Sequence, residues 1–416
     1  MEKDNLLNKC HINTNKDGDT FVGIQIIDGD ISICFPLEYR LAEDDKHIRK
    51  DIINLISVLK RFDDKKNEIL PNEKAKSNEQ VEFPFLAYMQ IILNYLNNGY
   101  FYENEIKYKV AKTGKINWSR TIKTQKTYPQ GTEVFYLNFV VKNSNLNSDA
   151  LITLIHEYCV FESFSKIGWL YSTVIPKKPR IKFDKKLFLS VLYEKMGQTF
   201  NDKNRSLFQN MIDLINSFGN KELNSRFYYG TYRFEYVWEN MIDHVFGVND
   251  KNRYFPRTTW HLVSGKNKDN NALEPDTIMI KGNEIFVVDA KYYKYGATAI
   301  PAHLPESTSI NKQITYGEYI ATNEEFKKEF GEDMKVYNVF IMPFSKNSKY
   351  FATDNNYKYI GKATGDWKQS KSKAEHEQVL GILLDVKYIM FNLIKHDKDE
   401  IEILSDEIEK SFKKNY

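Results

Sequence analysis

The stretch Glu274-Pro-Asp-Thr-Ile-Met-Ile-Lys-Gly-Asn-Glu-Ile-Phe-Val-Val-Asp-Ala-Lys291 sets two apolar runs on either side of Gly282-Asn283. That dipeptide suits a two-residue hairpin turn, so the stretch predicts two paired strands. With Lys281 opposite Glu284 across the turn, Ile280 faces Ile285, Ile278 faces Val287, Asp276 faces Asp289 and Glu274 faces Lys291. Side chains alternate with period two and directly paired residues share a face. Glu274, Asp276, Asp289 and Lys291 are therefore expected at one end of the hairpin, with paired Cβ atoms roughly 5 Å apart. Met279, Phe286 and Val288 make the other face apolar as well, which predicts a sheet covered on both sides. Two carboxylates emerging side by side repel each other and call for a cation. Mg²⁺ takes oxygen ligands and keeps several waters, which suits one or two carboxylates and a substrate phosphate. An adjacent lysine would then stabilise or help deprotonate an attacking water. The plainer alternative is an ordinary hairpin whose terminal charges form a surface salt bridge.

Upstream, Phe234, Val237, Trp238, Met241, Ile242, Val245 and Phe246 fall at helical spacing, and Gly247 ends the run. Glu235 and Glu239 flank that stripe one turn apart, placed either to reach a metal-bound water or simply to be solvated. Downstream, Ile310 to Ile320 predicts a helix with Gln313 and Tyr316 on one face and Lys312 available to a phosphate. Val336 to Met342 predicts a buried strand, and Ala374 to His396 a packing helix.

The first half reads differently. Phe21 to Ile27 and Ile31 to Phe35 flank Asp28-Gly29-Asp30, a hairpin signal. The run from Ala42 to Lys66 looks helical on one face, Glu68 to Val81 reads as a loop, and Pro84 to Leu96 as a helix stopped by Asn97-Asn98-Gly99. Tyr100 to Val141 is β-like. It interleaves Lys107, Lys109, Lys112, Lys115, Arg120, Lys123 and Lys126 with Tyr108 and Trp118, a composition suited to phosphate contacts and stacking or to a solvated strand face. Helical patterns follow at Ser148 to Leu170 and Asp184 to Gly219, joined by the basic Pro176 to Lys182.

The chain has 416 residues, 42% hydrophobic and 28% charged, which excludes a disordered or collagenous protein and points to two domains. The expected cut lies between residues 1–225 and 226–416, near Leu223 to Thr231. The second part alternates helix and strand as α/β domains do. Net charge is +3, so an anion-binding surface must come from local clustering. Three cysteines in no C-x-x-C arrangement exclude a disulfide framework or zinc knuckle. Neither a signal peptide nor a membrane-length apolar run is visible, so a cytoplasmic protein without membrane contact is expected.

A helix bearing Glu, then Pro275-Asp276, twelve residues, Asp289-Ala290-Lys291 and a helix starting at Lys312-Gln313 resembles the PD-(D/E)xK nuclease superfamily. More narrowly, Pro275 to Lys291, Tyr292-Tyr293 and Ile310 to Gln313 with Tyr316 resemble the LlaJI-type restriction endonucleases, which are related to McrC. This likeness covers Tyr229 to Phe344. Gly114 to Ile122 is similar, more faintly, to a Gly-[Lys/Arg]-Ile stretch of McrC-like chains. The resemblance implies an α/β protein whose C-terminal restriction-endonuclease-like mixed sheet is flanked by helices. An α+β N-terminal domain for DNA recognition or partner docking would precede it. It implies Mg²⁺-dependent, sequence-specific cleavage of double-stranded DNA in a restriction-modification system, with a cognate methyltransferase encoded nearby. Asp276, Asp289 and the carbonyl of Ala290 would hold the metal and Lys291 would serve the nucleophilic water. Glu239 would be the helix carboxylate, with Glu235 as its substitute, and Gln313 would support the site or touch the scissile backbone. No G-x-x-x-x-G-K-[ST] loop is present, so the chain would either cleave alone as a homodimer or work with a McrB-like AAA+ GTPase subunit. A repair or mobile-element nuclease of the same fold, or an inactive DNA-binding module, are the alternatives.

Overall fold

The computed structural model describes residues 6–27, 30–62, 84–172, 174–218, 226–366 and 374–413. It is a mixed α/β structure with several sheets. Two compact units divide the chain, one of Met1–Lys76 with Asn224–Tyr416 and one of Ser77–Leu223.

The first unit opens with β1 (Cys10–Ile12), β2 (Val22–Ile27), β3 (Asp30–Phe35) and α1 (Asp45–Arg61). Asp44 caps α1 by accepting the His47 N–H, and Ile48, Ile52, Leu55, Ile56 and Leu59 form its buried stripe. The chain then enters the second unit through α2 (Phe85–Asn98). There β4 (Glu103–Ala111), β5 (Lys115–Ile116), α3 (Trp118–Thr124), β6 (Thr127–Gln130), β7 (Glu133–Tyr136) and β8 (Phe139–Asn147) follow. β4, β8 and β5 form one sheet in that order, and β6 and β7 a separate hairpin. Helices α4 (Leu151–Ile167), α5 (Lys185–Gln198) and α6 (Asp202–Ser217) complete the unit.

Back in the first unit, β9 (Arg226–Thr231) pairs antiparallel with β2. The expected cut between 225 and 226 is thus corrected: β1 to β3 and α1 belong to one compact unit with the second half, and β2 pairs with β9. Gly23 and Gly230 face each other in this pairing, and a Cβ on either would sit 2.2 Å from a backbone oxygen of the other strand. Only glycine allows so close an approach.

Helix α7 (Phe234–Phe246) and the small hairpin β10 (Thr259–His261) and β11 (Asn267–Asp269) lead to β12 (Thr277–Lys281) and β13 (Glu284–Ala290). Then come α8 (Tyr295–Thr298), α9 (Ser307–Thr322), α10 (Glu324–Phe330), β14 (Lys335–Phe344), β15 (Tyr357–Thr364), β16 (Gln378–Asp385), α11 (Val386–Phe391) and α12 (Lys398–Phe412). The central sheet runs β12-β13-β14-β16-β15. Its β13, β14 and β16 are parallel and its two edges antiparallel. Ile278, Ile285 and Val287 share a core with Tyr316 and Ile320 of α9, while α7 packs against β12 and β13.

The expected helix from Ala374 to His396 is corrected to β16 followed by the short α11. Val379, Leu380, Ile382, Leu383 and Leu384 are all buried, and a short apolar run buried on both faces has no periodicity to separate strand from helix. The β-like reading of Tyr100 to Val141 missed α3, and the single helix from Asp184 to Gly219 is two, broken at Thr199 to Asn201. Asn201 caps the second by accepting the Asn204 N–H. The Asp28-Gly29 turn, the Glu68 to Val81 loop and the part of the expected boundary at 219–225 lie outside the described residues.

Candidate functional site

The hairpin register is as the turn dictates: Lys281 pairs with Glu284, Ile280 with Ile285 and Ile278 with Val287. The ladder ends at Thr277 and Val288, which leaves Asp276 and Asp289 as the next positions at the mouth of the two strands. The pairing does not extend to Glu274 and Lys291. The Lys291 N–H instead donates to the Ile341 carbonyl of β14 at 2.8 Å, and the Glu274 carbonyl accepts from the Tyr316 hydroxyl at 3.3 Å. The Glu274 side chain is exposed. At the far end of the hairpin, Lys281 pairs with Asp406 of α12 at 2.8 Å and anchors the turn.

Asp276 accepts the Ala290 N–H at 2.9 Å. Burial, the hydrogen-bonded carboxylate of Asp289 and the charge of Glu239 hold the Asp276 carboxyl well above the ordinary carboxylate range, and Lys291 pulls it only partly back. Lys291 Nζ lies 2.7 Å from Asp289 Oδ2. Burial disfavours its charge, but Asp289 and Asp276 outweigh burial, so the amine is held above its usual range and stays a cation. Lys291 thus pairs with Asp289 and reaches Asp276 only through its charge. Among the described residues no group of three or more His, Cys, Asp or Glu side chains is arranged to hold a metal ion.

Helix α7 delivers one carboxylate and withholds the other. Its apolar stripe from Phe234 to Phe246 is fully buried, and the Trp238 indole N–H donates to the Ile341 carbonyl at 3.4 Å, which seats the helix beside the strand ends. The charge of Glu239 adds to the upward shift of Asp276. Glu235 is bound by Arg233 at 3.1 Å. Gln313 is wholly buried and its Nε2 donates to the Val287 carbonyl at 2.6 Å, so it braces β13 two residues before Asp289. Lys312 is exposed beside Tyr316, whose hydroxyl raises the amine.

One residue, Lys251, escaped the sequence reading, and another, Tyr292, was named there without a role. Lys251 Nζ donates to the Asp276 carbonyl at 2.5 Å and pairs with Asp243 of α7 at 2.7 Å, tying the helix to the strand entrance. Tyr292 accepts the Leu37 N–H at 2.6 Å on its hydroxyl, and its carbonyl accepts from Asn15 at 3.3 Å. The loop after Lys291 thus leans on the N-terminal segment. No local pattern marks Lys251, whereas the Tyr292-Tyr293 pair directly after Lys291 was a visible signal.

The family model described as LlaJI restriction endonuclease matches residues 21–367. One curated relative, "Type II restriction enzyme BsuMI component YdjA" of Bacillus subtilis (strain 168), is 25% identical over 280 residues, 61% of this chain. The match covers 56% of that relative, so the chain spans little more than half its length. A solved structure titled "Refined half-complex from tetradecameric assembly of Thermococcus gammatolerans McrB AAA+ hexamers with bound McrC" is similar at 16% identity with a TM-score of 0.38. The similarity covers 94% of this chain and 83% of that one.

Proposed function

Since the chain belongs to the LlaJI restriction endonuclease family, we propose that it is the Mg²⁺-dependent nuclease of a restriction system, cutting double-stranded DNA at the mouth of β12 and β13. The observation that carries this reading is the pair of half-buried Asp276 and buried Asp289, with Lys291 on Asp289. The mixed five-stranded sheet with α7 and α9 on it supports a PD-(D/E)xK core.

The residues fit a hard divalent cation. Burial, with the neighbouring Asp289 carboxylate, pushes Asp276 toward protonation, and a bound cation would favour its charged form. Asp276, Asp289 and the Ala290 carbonyl would hold Mg²⁺, which when bound would supply charge neutralisation on the phosphate and a more acidic water. The rest is the work of this chain. Lys291, kept protonated, stabilises charge developing on the phosphate oxygens. Glu239 accepts a proton from the water that attacks phosphorus. Gln313 and Lys251 hold the two strand ends in place. Water oxygen bonds to phosphorus as the bond to the departing sugar oxygen breaks, and a solvent proton completes that hydroxyl.

The curated relative is named as a component, which supports a partner subunit for this chain too, and we take that partner to be a separately encoded McrB-like AAA+ GTPase. Calorimetric titration with Mg²⁺ tests the site: the wild-type chain takes up the ion and Asp276→Asn does not. Equal uptake by both would reject this placement.

A further inference from the structure

Overall charge balance conceals a concentrated surface in the second unit. From Lys107 to Lys142 there are eight basic residues and one acidic residue, Glu133, a formal +7 in a chain whose total is +3. The remainder of the molecule is net acidic, so these cations are not part of a general excess.

Their arrangement is specific. Tyr108 of β4 pairs with Lys142 of β8, and Lys142 pairs with Lys115 of β5. Directly paired residues share a face, so the three stand in one row across the sheet. Lys142 and Lys115 are exposed, while the adjacent Val141 is buried. The row itself is therefore open to solvent at both lysines. Like charges directly opposite destabilise a sheet, and among the described residues no carboxylate pairs with Lys115, Lys142 or Arg120. A third cation joins them: the Arg120 guanidinium lies 3.8 Å from the centroid of the Tyr108 ring. Its helix α3 is docked to β8 by the Val140 N–H on Thr121 Oγ1 at 2.9 Å and the Asn117 N–H on the Val140 carbonyl at 2.8 Å. Beside it Trp118 is 53% exposed.

We infer that the row of Lys115, Lys142 and Arg120 around Tyr108 is a surface that binds the phosphates of double-stranded DNA. It rests on the nuclease reading above for the identity of the polyanion, and it adds a binding site remote in sequence from the cutting residues. Phosphates would relieve the repulsion between the paired lysines, and each neutralised phosphate releases a counterion. An acidic protein surface is the competing occupant.

Fluorescence anisotropy of the full chain with a short duplex in EDTA, at several salt concentrations, tests this. For Lys115→Gln with Lys142→Gln we expect about tenfold weaker binding at physiological salt and a log-log salt slope shallower by about 2. Lys115→Arg with Lys142→Arg should keep both values. Circular dichroism checks the fold, and the single Lys142→Gln, expected to flatten the slope by about 1, serves if the double variant does not fold. Unchanged affinity and slope in the glutamine variants would overturn the inference, as would normal DNA binding combined with lost association to a protein partner. Intact Mg²⁺-dependent cleavage by the wild type alongside such a result would leave the nuclease reading standing. A wild type that binds no DNA at any salt would sink both.

Discussion

Asp276 and Asp289 lie next to each other because a two-residue turn leaves no freedom of register between Lys281 and Glu284. A carboxylate pair built that way can be read from residues alone, since period-two alternation carries the pairing from the turn to the strand mouth. The helix carboxylate could not be read so, because Glu235 and Glu239 sit one turn apart and both flank the stripe. We propose Glu239 for the role, because Arg233 pairs with Glu235 while the charge of Glu239 raises Asp276. Glu239→Gln should therefore slow single-turnover cleavage about 100-fold, at the low end for loss of a general base, and Glu235→Gln should leave the rate within a few-fold. Equal effects from both would show that the assignment within α7 is mistaken. Lys251 was beyond sequence reasoning altogether, since its partners, the Asp276 carbonyl and Asp243, are brought to it only by the fold.

At the scale of elements, the hairpin, α7 and α9 were legible because each is amphipathic or bounded by a turn. β16 was not, since burial on both faces removes the polar positions that reveal a period. Helix α9 lies close on the sheet through Gly317, where a Cβ would come within 2.4 Å of the Asn338 amide. Gly317→Ala should lower stability by about 1–3 kcal/mol in urea unfolding, as overpacking of a close contact does. Gln313→Ala leaves the buried Val287 carbonyl without its side-chain donor and should cost about 1–3 kcal/mol. A Gln313→Ala chain as stable as wild type would mean that the brace contributes nothing to folding.

At the scale of the molecule, the return of residues 6–62 to the second half was not legible. Strand partners distant in sequence leave no local mark, and β2 finds β9 across some 200 residues. The second unit carries its own pH dependence. His156 is buried at Nδ1 against the Phe101 N–H at 2.8 Å, and burial pulls its pKa down from 6.5 to about 4. The folded chain keeps it neutral while the unfolded chain protonates it below 6.5. Its contribution is thus complete above that pH and is lost progressively as pH falls toward 4, by up to about 3 kcal/mol. Unfolding of wild type and His156→Gln between pH 7 and pH 4 should show the variant losing less stability on acidification, and parallel losses would refute the assignment. No helix among the described residues is long and apolar enough to cross a membrane. The central claim is that Asp289, with Asp276, holds the metal that cuts DNA. Its most direct test is cleavage of unmodified plasmid with Mg²⁺, GTP and the neighbouring gene products, comparing wild type with Asp289→Ala. The account predicts cleavage by the wild type and none by the variant, with folding and DNA binding intact; cleavage by a folded Asp289→Ala chain would contradict it.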